Sequence, residues 1–533
     1  MIDLFKNSSE LTKIIIVFFW IVVGFQMYRI FLWNILIQLL SILFLYTLYY
    51  FIIDFFTGIP FKIYFAIYLI PSLVFALLFF LFHKFFIKPP KPKPLVFIIK
   101  FRNGKEIKID SQKGVTIQGA AGSGKTASFV SWMLKHYGEQ NVGGILYDYK
   151  DFELVEMANY FYRDSEVNLL PFAPYNPSKS IQYNPLDYNL IKTDEDIKII
   201  ANCIVDNVID SKGERFFRDA ALGAIVGVIY TLKEYHKQYC SFSYLIAIFV
   251  QKDIEGLISF IKKSEMAKIN AGAFLDSEGS DKQMAAVKGS LSNAFSQFAN
   301  PNIIYTMQKN SVDFALNEKE NKSLFCAINI PKYRVIYSPI LSVVVQSLIM
   351  KMSVRNREKS IILLDEAPTL KINDIGNVPA TMRSFGVATI YMLQDSVQAV
   401  VQMGRDQMKV VLSNLSTKCL GKTNDPDTAK LMEQYFDEKI VKQVSTSYKS
   451  GGFGSMTDRR KSVSERKEKE HKAHEMFKRD TGEFFIFDDK GKSYNEKILL
   501  PKYELIPSEI INTVSQAKID FVFKNIMKIA KEL

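Results

Sequence analysis

Residues 119–126 constrain the fold of this chain more than any other segment. They fit the pattern G-x-x-x-x-G-K-[ST] without a mismatch, as Gly119, Ala120, Ala121, Gly122, Ser123, Gly124, Lys125 and Thr126. A β-prone run precedes them at residues 115–117, and apolar residues at helical spacing follow at residues 129–137, before Gly138, which we expect to end the helix. A strand, a Gly-rich loop and a helix in this order place phosphate groups at a helix N-terminus. The segment therefore predicts an α/β fold that binds a nucleotide.

The pattern assigns a role to each polar group of this loop. Its glycines let backbone N–H groups close around the phosphates, Lys125 is expected to reach the β- and γ-phosphates, and the Thr126 hydroxyl is expected to bind Mg²⁺. ATP and Mg²⁺ are therefore the predicted cofactors. The alternative interpretation is a Gly-rich turn that binds nothing.

A second motif is an apolar run that ends in two acidic residues. Residues 360–364 read S-I-I-L-L and are followed by Asp365 and Glu366. A continuous apolar run is typical of a strand buried on both faces of a parallel sheet, and ligands bind at the carboxyl ends of such strands. We expect Asp365 to hold Mg²⁺ through water and Glu366 to polarise the attacking water. The alternative is a strand that ends in acidic residues without a catalytic role.

A third predicted strand, at residues 387–393, ends at Gln394. An amide at the end of a central strand can contact the γ-phosphate, or it can bind a loop. Arg383 lies near the end of a predicted helix at residues 375–384. A guanidinium from a neighbouring subunit can stabilise transition-state charge, so Arg383 is a candidate trans-acting arginine; the alternative is an ordinary surface residue.

The first 88 residues are predicted to anchor the chain in a membrane. Apolar windows lie at residues 14–27, 30–53 and 63–82, and about 20 apolar residues cross a bilayer core, so we expect two to three transmembrane helices. Residues 89–95 form a Pro- and Lys-rich linker. The positive-inside rule places everything after this membrane segment in the cytoplasm, because the last window is followed by Lys84, Lys88, Lys91 and Lys93.

The charge of the chain favours an anionic partner. The sequence has 67 Lys and Arg against 55 Asp and Glu, which suits nucleic acid or the inner leaflet of a membrane. One basic run, at residues 459–472, is diluted by three Glu residues, and we interpret it as a solvated helix or flexible loop rather than a DNA site. Residues 445–455 are rich in Ser and Gly and predict a mobile loop.

Several motifs together resemble one family. The loop G-A-A-G-S-G-K-T, I-L-Y-D-Y-K at residues 145–150, Y-N-P-L at 183–186 and L-L-D-E-A-P-T-L at 363–370 are similar to elements of the type IV secretion coupling proteins, the TraG/TraD group of conjugation ATPases. R-F-F-R-D-A-A at 215–221, Asn414, Lys418, T-N-D-P-D-T-A at 423–429 and G-E-F-F-I-F at 482–487 extend the resemblance to about residues 115–502. The sequence departs from the family at Asp151, where Gly is usual, and in having three apolar windows where two helices are usual.

The resemblance implies a RecA-like P-loop motor with an inserted all-α domain, behind N-terminal transmembrane helices. The predicted division is an anchor at residues 1–88, a linker at 89–95, the motor at 96–190 and 321–502, the all-α domain at 191–320 and a helical tail at 503–533. In the family, a trans-acting arginine and a strand-end glutamine follow the acidic motif at similar distances, which supports the roles expected of Arg383 and Gln394.

The resemblance also implies an activity and its partners. A homo-hexamer in the bacterial inner membrane would hydrolyse ATP, recruit a relaxase–DNA complex and drive single-stranded DNA into a type IV secretion channel during conjugation or plasmid mobilisation. Two alternatives stay open: an ATPase of the same fold that secretes protein effectors, and an FtsK-like DNA translocase. A membrane scaffold with a degenerate nucleotide site is a non-enzymatic alternative, and the intact Lys125, Thr126, Asp365 and Glu366 argue against it.

Overall fold

The computed structural model describes residues 95–209, 215–276, 281–449 and 458–533. The predicted membrane anchor at residues 1–88 and residues 89–94 of the predicted linker lie outside the described residues. The strands of the described part are β1 Val96–Lys100, β2 Glu106–Asp110, β3 Val115–Gln118, β4 Gly144–Asp148, β5 Asn168–Phe172, β6 Ser323–Ile328, β7 Ser360–Leu364, β8 Val387–Leu393, β9 Thr417–Leu420, β10 Glu438–Lys449, β11 Asp458–Lys469, β12 Glu483–Phe487 and β13 Ser493–Lys497.

The α-helices alternate with these strands and fill the long interval between β5 and β6. They are α1 Ser131–Glu139, α2 Glu153–Phe161, α3 Asp194–Val208, α4 Arg215–Tyr235, α5 Phe242–Gln251, α6 Ile254–Ile261, α7 Glu265–Asn270, α8 Gly272–Leu275, α9 Asp281–Ser296, α10 Pro301–Thr306, α11 Arg334–Met352, α12 Val378–Ser384, α13 Ser396–Met403, α14 Arg405–Ser413, α15 Pro426–Glu433, α16 Ala473–Phe477 and α17 Gln516–Glu532.

Nine strands form one sheet in the order β5-β6-β4-β7-β8-β3-β9-β12-β13. The seven strands from β5 to β9 pair in parallel, and β12 and β13 add antiparallel pairs at one side. Every residue of β4, β6, β7 and β8 is buried, as expected for apolar strands covered by helices on both faces. The α/β fold is confirmed, and the strands predicted at residues 115–117, 360–364 and 387–393 are β3, β7 and β8.

Two predicted helix boundaries differ from the structure. Gly138 lies inside α1 rather than after it, and a Cβ atom at this position would lie 2.3 Å from the carbonyl oxygen of Phe161. Gly138 is therefore required for close approach to the end of α2. The helix predicted at residues 375–384 begins only at Val378, because Asp374 has a left-handed backbone (φ 52°) and Pro379 occupies the first turn.

The eight helices α3 to α10 pack onto the sheet through a shared apolar core. This core joins the sheet residues Tyr147 and Phe172 to Ile204, Val228 and Ile248 of the helices. One segment of the described chain, Pro331–Met352, is long and apolar enough to span a membrane, but 67% of its most apolar window is buried inside the fold. That burial is typical of a core helix. The predicted limits of the all-α domain, residues 191 and 320, stay a prediction.

The basic run at residues 459–472 does not form the helix or loop that we expected. Most of it belongs to β11, which pairs with β10 along twelve residue pairs from Glu438↔Lys469 to Lys449↔Asp458. The alternation of β-branched and polar residues in β10 favours a ribbon, and the cross-strand ion pair Lys442–Glu465 (3.3 Å) supports it. Of the loop predicted at residues 445–455, residues 445–449 belong to β10 and the others lie outside the described residues.

Two helical glycines allow a test of the packing at α1. Alanine in place of helical glycine normally stabilises a helix by up to about 1 kcal/mol. We expect Gly289→Ala in α9 to do so, since no atom of another described segment lies within 4 Å of the added Cβ. Gly138→Ala should instead destabilise the protein by roughly 1–3 kcal/mol, because the methyl group would overlap the Phe161 carbonyl. Thermal unfolding of both variants of the full-length protein checks this, and equal shifts of the same sign would contradict it.

Candidate nucleotide-binding site

The loop at residues 119–126, the two acidic residues and Gln394 meet at one edge of the sheet. They follow β3, β7 and β8, which are neighbours in the order β3-β8-β7 and run parallel, so that their carboxyl ends lie side by side. These ends border a cavity of about 440 Å³. Its walls are formed by Ala120, Ala121, Gly122, Ser123, Gly124, Lys125, Thr126, Ala127, Tyr149, Lys150, Glu153, Arg334, Glu366, Thr369, Gln394 and Gln398.

The loop has the backbone conformation that its glycines permit. Gly122 and Gly124 have positive φ angles of 75° and 92°, and a Cβ at Gly119 would lie 2.6 Å from the Ser123 hydroxyl oxygen. The loop is fixed to the sheet at its start, where Gly119 N–H donates to the Leu393 carbonyl at 3.2 Å and Ala120 N–H to the Lys422 carbonyl at 2.6 Å. A single π-helical turn, Thr126–Val130, then leads into α1. The loop therefore curls over a helix N-terminus, where phosphate groups bind.

Lys125 is buried and lies between the loop and the acidic pair. Its Nζ donates a hydrogen bond to the Gly119 carbonyl at 2.5 Å and lies 3.7 Å from Glu366 Oε1. Burial lowers the pKa of Lys125 from its ordinary value, although the carboxylates of Glu366 and Asp365 oppose this shift. The ammonium group is thus placed where it can meet an anion that reaches the loop.

Asp365 is the more deeply buried of the two acidic residues, with 1% of its surface exposed. Burial, reinforced by the Glu366 carboxylate, raises the pKa of Asp365 to about 7, and Lys150 and Lys125 oppose the shift. Its Oδ2 atom has no hydrogen-bond partner within the described residues. A buried carboxylate oxygen without a partner is suited to a divalent cation.

Glu366 has a left-handed backbone, with φ 45° and ψ 49°, which non-glycine residues rarely adopt. Thr369 holds this turn in place, because its N–H and its hydroxyl both donate to the Glu366 carbonyl, at 2.9 and 2.7 Å. The turn directs the Glu366 carboxylate into the cavity beside Lys125. Gln394, half-buried, lies in the cavity wall directly after β8.

The site residues fit a nucleotide with Mg²⁺. The described residues contain no group of three or more His, Cys, Asp or Glu side chains that could hold a metal ion. Mg²⁺ does not require one, because it binds through one or two carboxylates together with phosphate oxygens and water. Asp365 and Thr126 would supply the protein ligands, and the glycines of the loop leave room for phosphates.

Three predicted site residues do not line the cavity: Gly119 and Asp365 directly precede lining residues, whereas Arg383 lies far from it. Arg383 is exposed in α12, which leads into the amino end of β8, whereas the cavity lies at the carboxyl end. Seven residues of strand separate the two edges by about 23 Å. Arg383 therefore does not reach the cavity of its own chain, and a role in a neighbouring chain stays a prediction.

Residues at two further strand ends reach the cavity, although the sequence patterns gave them no role at the site. Lys150 follows β4, which lies next to β7, and Arg334 follows β6, which lies next to β4. Burial by itself lowers the pKa of Lys150. The carboxylates of Asp365, Glu153 and Glu366 have the larger combined effect, so that the pKa of Lys150 is raised. The D-x-K turn after β4 was a usable signal for Lys150. Thr369 lies in the segment 363–370 that carries the family resemblance. Gln398 and Arg334 had no such signal, because their approach depends on the strand order.

The turn after β4 also explains the departure at Asp151. Asp151 has a positive φ of 52°, a conformation that glycine adopts most easily and that aspartate tolerates better than most residues. Its carboxylate accepts a hydrogen bond from the Tyr175 hydroxyl at 2.5 Å. Asp148, fully buried, accepts N–H bonds from Lys150, Leu154 and Val155 and so fixes the start of α2.

The comparison with known families decides the assignment of the chain. A family model described as type IV secretory system conjugative DNA transfer matches residues 86–476. The chain belongs to this family. The resemblance to the TraG/TraD coupling proteins is thereby confirmed over most of this chain. The search of curated protein sequences found no match to the chain.

Solved structures of coupling proteins share the fold. The unbound form of the bacterial conjugative coupling protein TrwBdeltaN70 has a TM-score of 0.56 at 14% identity, over 80% of this chain and 92% of that chain. The plasmid coupling protein TrwB in complex with ADP and Mg²⁺ has a TM-score of 0.54 at 15% identity, over 76% and 87%. TrwB in complex with a non-hydrolysable ATP analogue has a TM-score of 0.55 at 15% identity, over 76% of this chain and 87% of that chain. At these identities the matches show the fold.

Two buried aspartates of the coupling protein should respond oppositely to replacement by asparagine. At pH 8 we expect Asp365→Asn to raise the free energy of unfolding by a few kcal/mol. The wild-type carboxylate is buried and ionised there, its Oδ2 has no hydrogen-bond partner among the described residues, and its pKa is about 7 against an ordinary 3.8. The gain should shrink as the pH falls from 7 towards 4, because the folded wild type then keeps its proton. Denaturant unfolding at pH 5 to 8 measures it.

Asp148→Asn is the control. Its carboxylate also has a raised pKa, about 6, caused by burial, but it accepts three backbone N–H bonds that an amide cannot all replace. We expect this variant to be less stable than the wild type at pH 8. A loss of stability in Asp365→Asn that does not vary with pH would contradict the interpretation of Asp365.

Proposed function

We propose that this coupling protein is an ATPase of the bacterial inner membrane that recruits a relaxase–DNA complex and drives single-stranded DNA into a type IV secretion channel. One observation supports the ATPase most directly. Lys125 Nζ lies 3.7 Å from Glu366 Oε1, and both residues line the cavity that the phosphate-binding loop borders. An amine for phosphates and a carboxylate for water thus face the same space.

Each residue then has a chemical task. The loop N–H groups and Lys125 bind the phosphates, and Thr126 and Asp365 would hold Mg²⁺, which would neutralise phosphate charge. Glu366 orients a water molecule and takes its proton. The water oxygen forms a bond to the γ-phosphorus while the bond to the bridging oxygen breaks, and that electron pair leaves on ADP. Gln394 contacts the γ-phosphate from the end of β8.

The assembly that we propose is a homo-hexamer with the motor in the cytoplasm, attached through helices in residues 1–88. Arg383 supports this proposal in one respect. It is exposed and lies about 23 Å from the cavity edge of its own sheet, so that an action on nucleotide requires a neighbouring subunit. A ring of copies would supply that neighbour.

The β10–β11 ribbon supports DNA as the cargo. Its two strands contain nine Lys and Arg against four Asp and Glu. Lys439, Lys442, Arg466 and Lys467 are exposed. A narrow, basic ribbon can track a phosphate backbone without reading bases. The family assignment favours this cargo over an FtsK-type role, and secretion of protein effectors is the alternative that the next two tests address.

Glu366→Gln tests the motor. We expect hydrolysis to fall about 10²–10⁴-fold, since the amide cannot accept a proton, while ATP binding is kept. Steady-state ATPase, nucleotide binding and DNA transfer between cells are measured for the full chain. Glu358→Gln is the matched control, because Glu358 is exposed near the other end of β7. Wild-type transfer in Glu366→Gln would refute the motor role, and wild-type hydrolysis in Lys125→Ala would refute the loop assignment.

Replacing Lys442 and Lys467 by glutamine tests the DNA cargo. We expect weaker binding of single-stranded DNA of any sequence. The slope of log K against log salt concentration should become shallower by about 1.4, which is about 0.7 for each lost phosphate contact. Fluorescence anisotropy at several salt concentrations measures both. The control is Lys409→Gln with Lys430→Gln, which removes the same charge from α14 and α15. A wild-type protein that hydrolyses ATP but binds no single-stranded DNA would favour effector secretion.

A further inference from the structure

Arg334 is the first residue of α11 and lies in the wall of the nucleotide cavity together with Glu366 and Gln394. Its side chain is exposed and makes no ion pair or hydrogen bond with any residue in the described parts of the chain. This side chain is free to meet a ligand.

A buried hydrogen-bond chain fixes the segment that carries Arg334. Asn329, fully buried, donates from Nδ2 to the Tyr147 hydroxyl at 2.8 Å. That hydroxyl lies 2.8 Å from the Thr369 hydroxyl, which donates to the Glu366 carbonyl at 2.7 Å. All donors therefore point the same way, from Asn329 through Tyr147 and Thr369 to the backbone of the catalytic turn.

The same asparagine fixes the far side of this segment. Its Nδ2 also donates to the Ser338 hydroxyl at 2.9 Å, in the second turn of α11. Its backbone N–H donates to the Asp148 carbonyl and its carbonyl accepts from Asp151 N–H, at 2.8 and 2.9 Å. Asn329 thus joins the segment from residue 329 to residue 338 to β4 and to the Glu366 turn, and its bond to Ser338 closes the segment on itself. Arg334 lies between these two bonded residues.

The two candidate arginines consequently have opposite positions. Arg383 lies at the amino edge of the sheet, and Arg334 lies at the carboxyl edge, in the cavity of its own chain. A guanidinium presents a planar set of donors that fits phosphate oxygens in two-pronged contacts. Positive charge placed there before the reaction stabilises the charge that develops on the transferred phosphoryl group.

We propose that Arg334 contacts the terminal phosphate in cis, as a further catalytic residue of the same chain that binds the nucleotide. This rests on the proposed ATPase function. Arg334 takes no proton and forms no covalent bond. It adds positive charge beside Lys125 while Glu366 receives the proton of the attacking water. Asn329 and Thr369 are positioning residues that hold it at the cavity.

Arg334→Ala is the primary test. We expect kcat to fall about 10³-fold, as for other arginines that act on a transferred phosphoryl group. ADP affinity should change less than about 3-fold, because the contact is to the terminal phosphate. The affinity for a non-hydrolysable ATP analogue should therefore fall relative to that for ADP. Arg334→Lys should restore little, since a point charge lacks the two-pronged geometry. Lys332→Ala, in the same exposed turn but outside the cavity, should behave as the wild type.

Mixing variants separates a cis from a trans arginine. Glu366→Gln chains mixed with Arg383→Ala chains should recover activity if Arg383 acts across an interface, because each kind of chain supplies what the other lacks. Glu366→Gln mixed with Arg334→Ala should recover none, because every site then misses one residue of its own chain. Recovery in this second mixture would overturn the cis assignment.

The failure of this inference can be told apart from the failure of the proposed function. Wild-type hydrolysis that Lys125→Ala abolishes supports the ATPase, and an unchanged kcat in Arg334→Ala then overturns the role of Arg334 alone. The ratio of ATP-analogue to ADP affinity supplies a readout that needs no hydrolysis. An unchanged ratio in Arg334→Ala would also overturn the inference.

Discussion

Lys125, Asp365 and Glu366 share a small, largely buried space, and much of the surrounding structure serves to keep these charges together. Burial disfavours the charged form of each group, so that separate charges here would be costly. The ammonium groups of Lys125 and Lys150 offset the two carboxylates, as the opposing pKa effects on both sides show. The compensation is incomplete at Asp365, whose pKa stays at about 7. A divalent cation bound to Asp365 would complete it.

The sheet order is what assembles this cluster. Five consecutive strands, β3, β8, β7, β4 and β6, end at the same edge and carry Lys125, Gln394, Glu366, Lys150 and Arg334 in or just beyond the turns that follow them. Because the strands are parallel and buried on both faces, their ends are rigid and close together. The pairing of strands that are distant in the sequence therefore brings Lys125 Nζ to within 3.7 Å of Glu366 Oε1. The whole helical layer lies between these two residues in the sequence.

Buried hydrogen bonds then set the turns on these strand ends. Asp148 fixes the start of α2 through three N–H groups, and Asn329 joins the start of α11 to the Glu366 turn. Such groups are costly to bury unless every bond is made, so they tolerate few alternative arrangements. The strained backbone at Glu366 is held by this network. A nucleotide-dependent motor gains from it, because the charges are placed before the substrate arrives.

The loop, the three central strands, the acidic pair and the family can all be predicted from the order of residues alone. These features depend on local order: a glycine pattern between a strand and a helix, apolar runs of strand length, and acids directly after them. The same local signals gave wrong secondary structure where contacts between distant segments determine it. Gly138 suggested a helix end but serves close packing against Phe161, and the basic run at residues 459–472 suggested a helix or loop until its pairing with β10 was known.

Which further side chains reach the cavity depends on how the chain folds in three dimensions. Arg334 and Gln398 lie in no motif, and Arg383 matched a family spacing yet lies at the other edge of the sheet. The reason is topological. Several neighbours in this sheet are far apart in the chain, since β8 stands between β3 and β7, and β4 stands between β7 and β6. Strand pairing, which no local pattern contains, selects the residues that face one another.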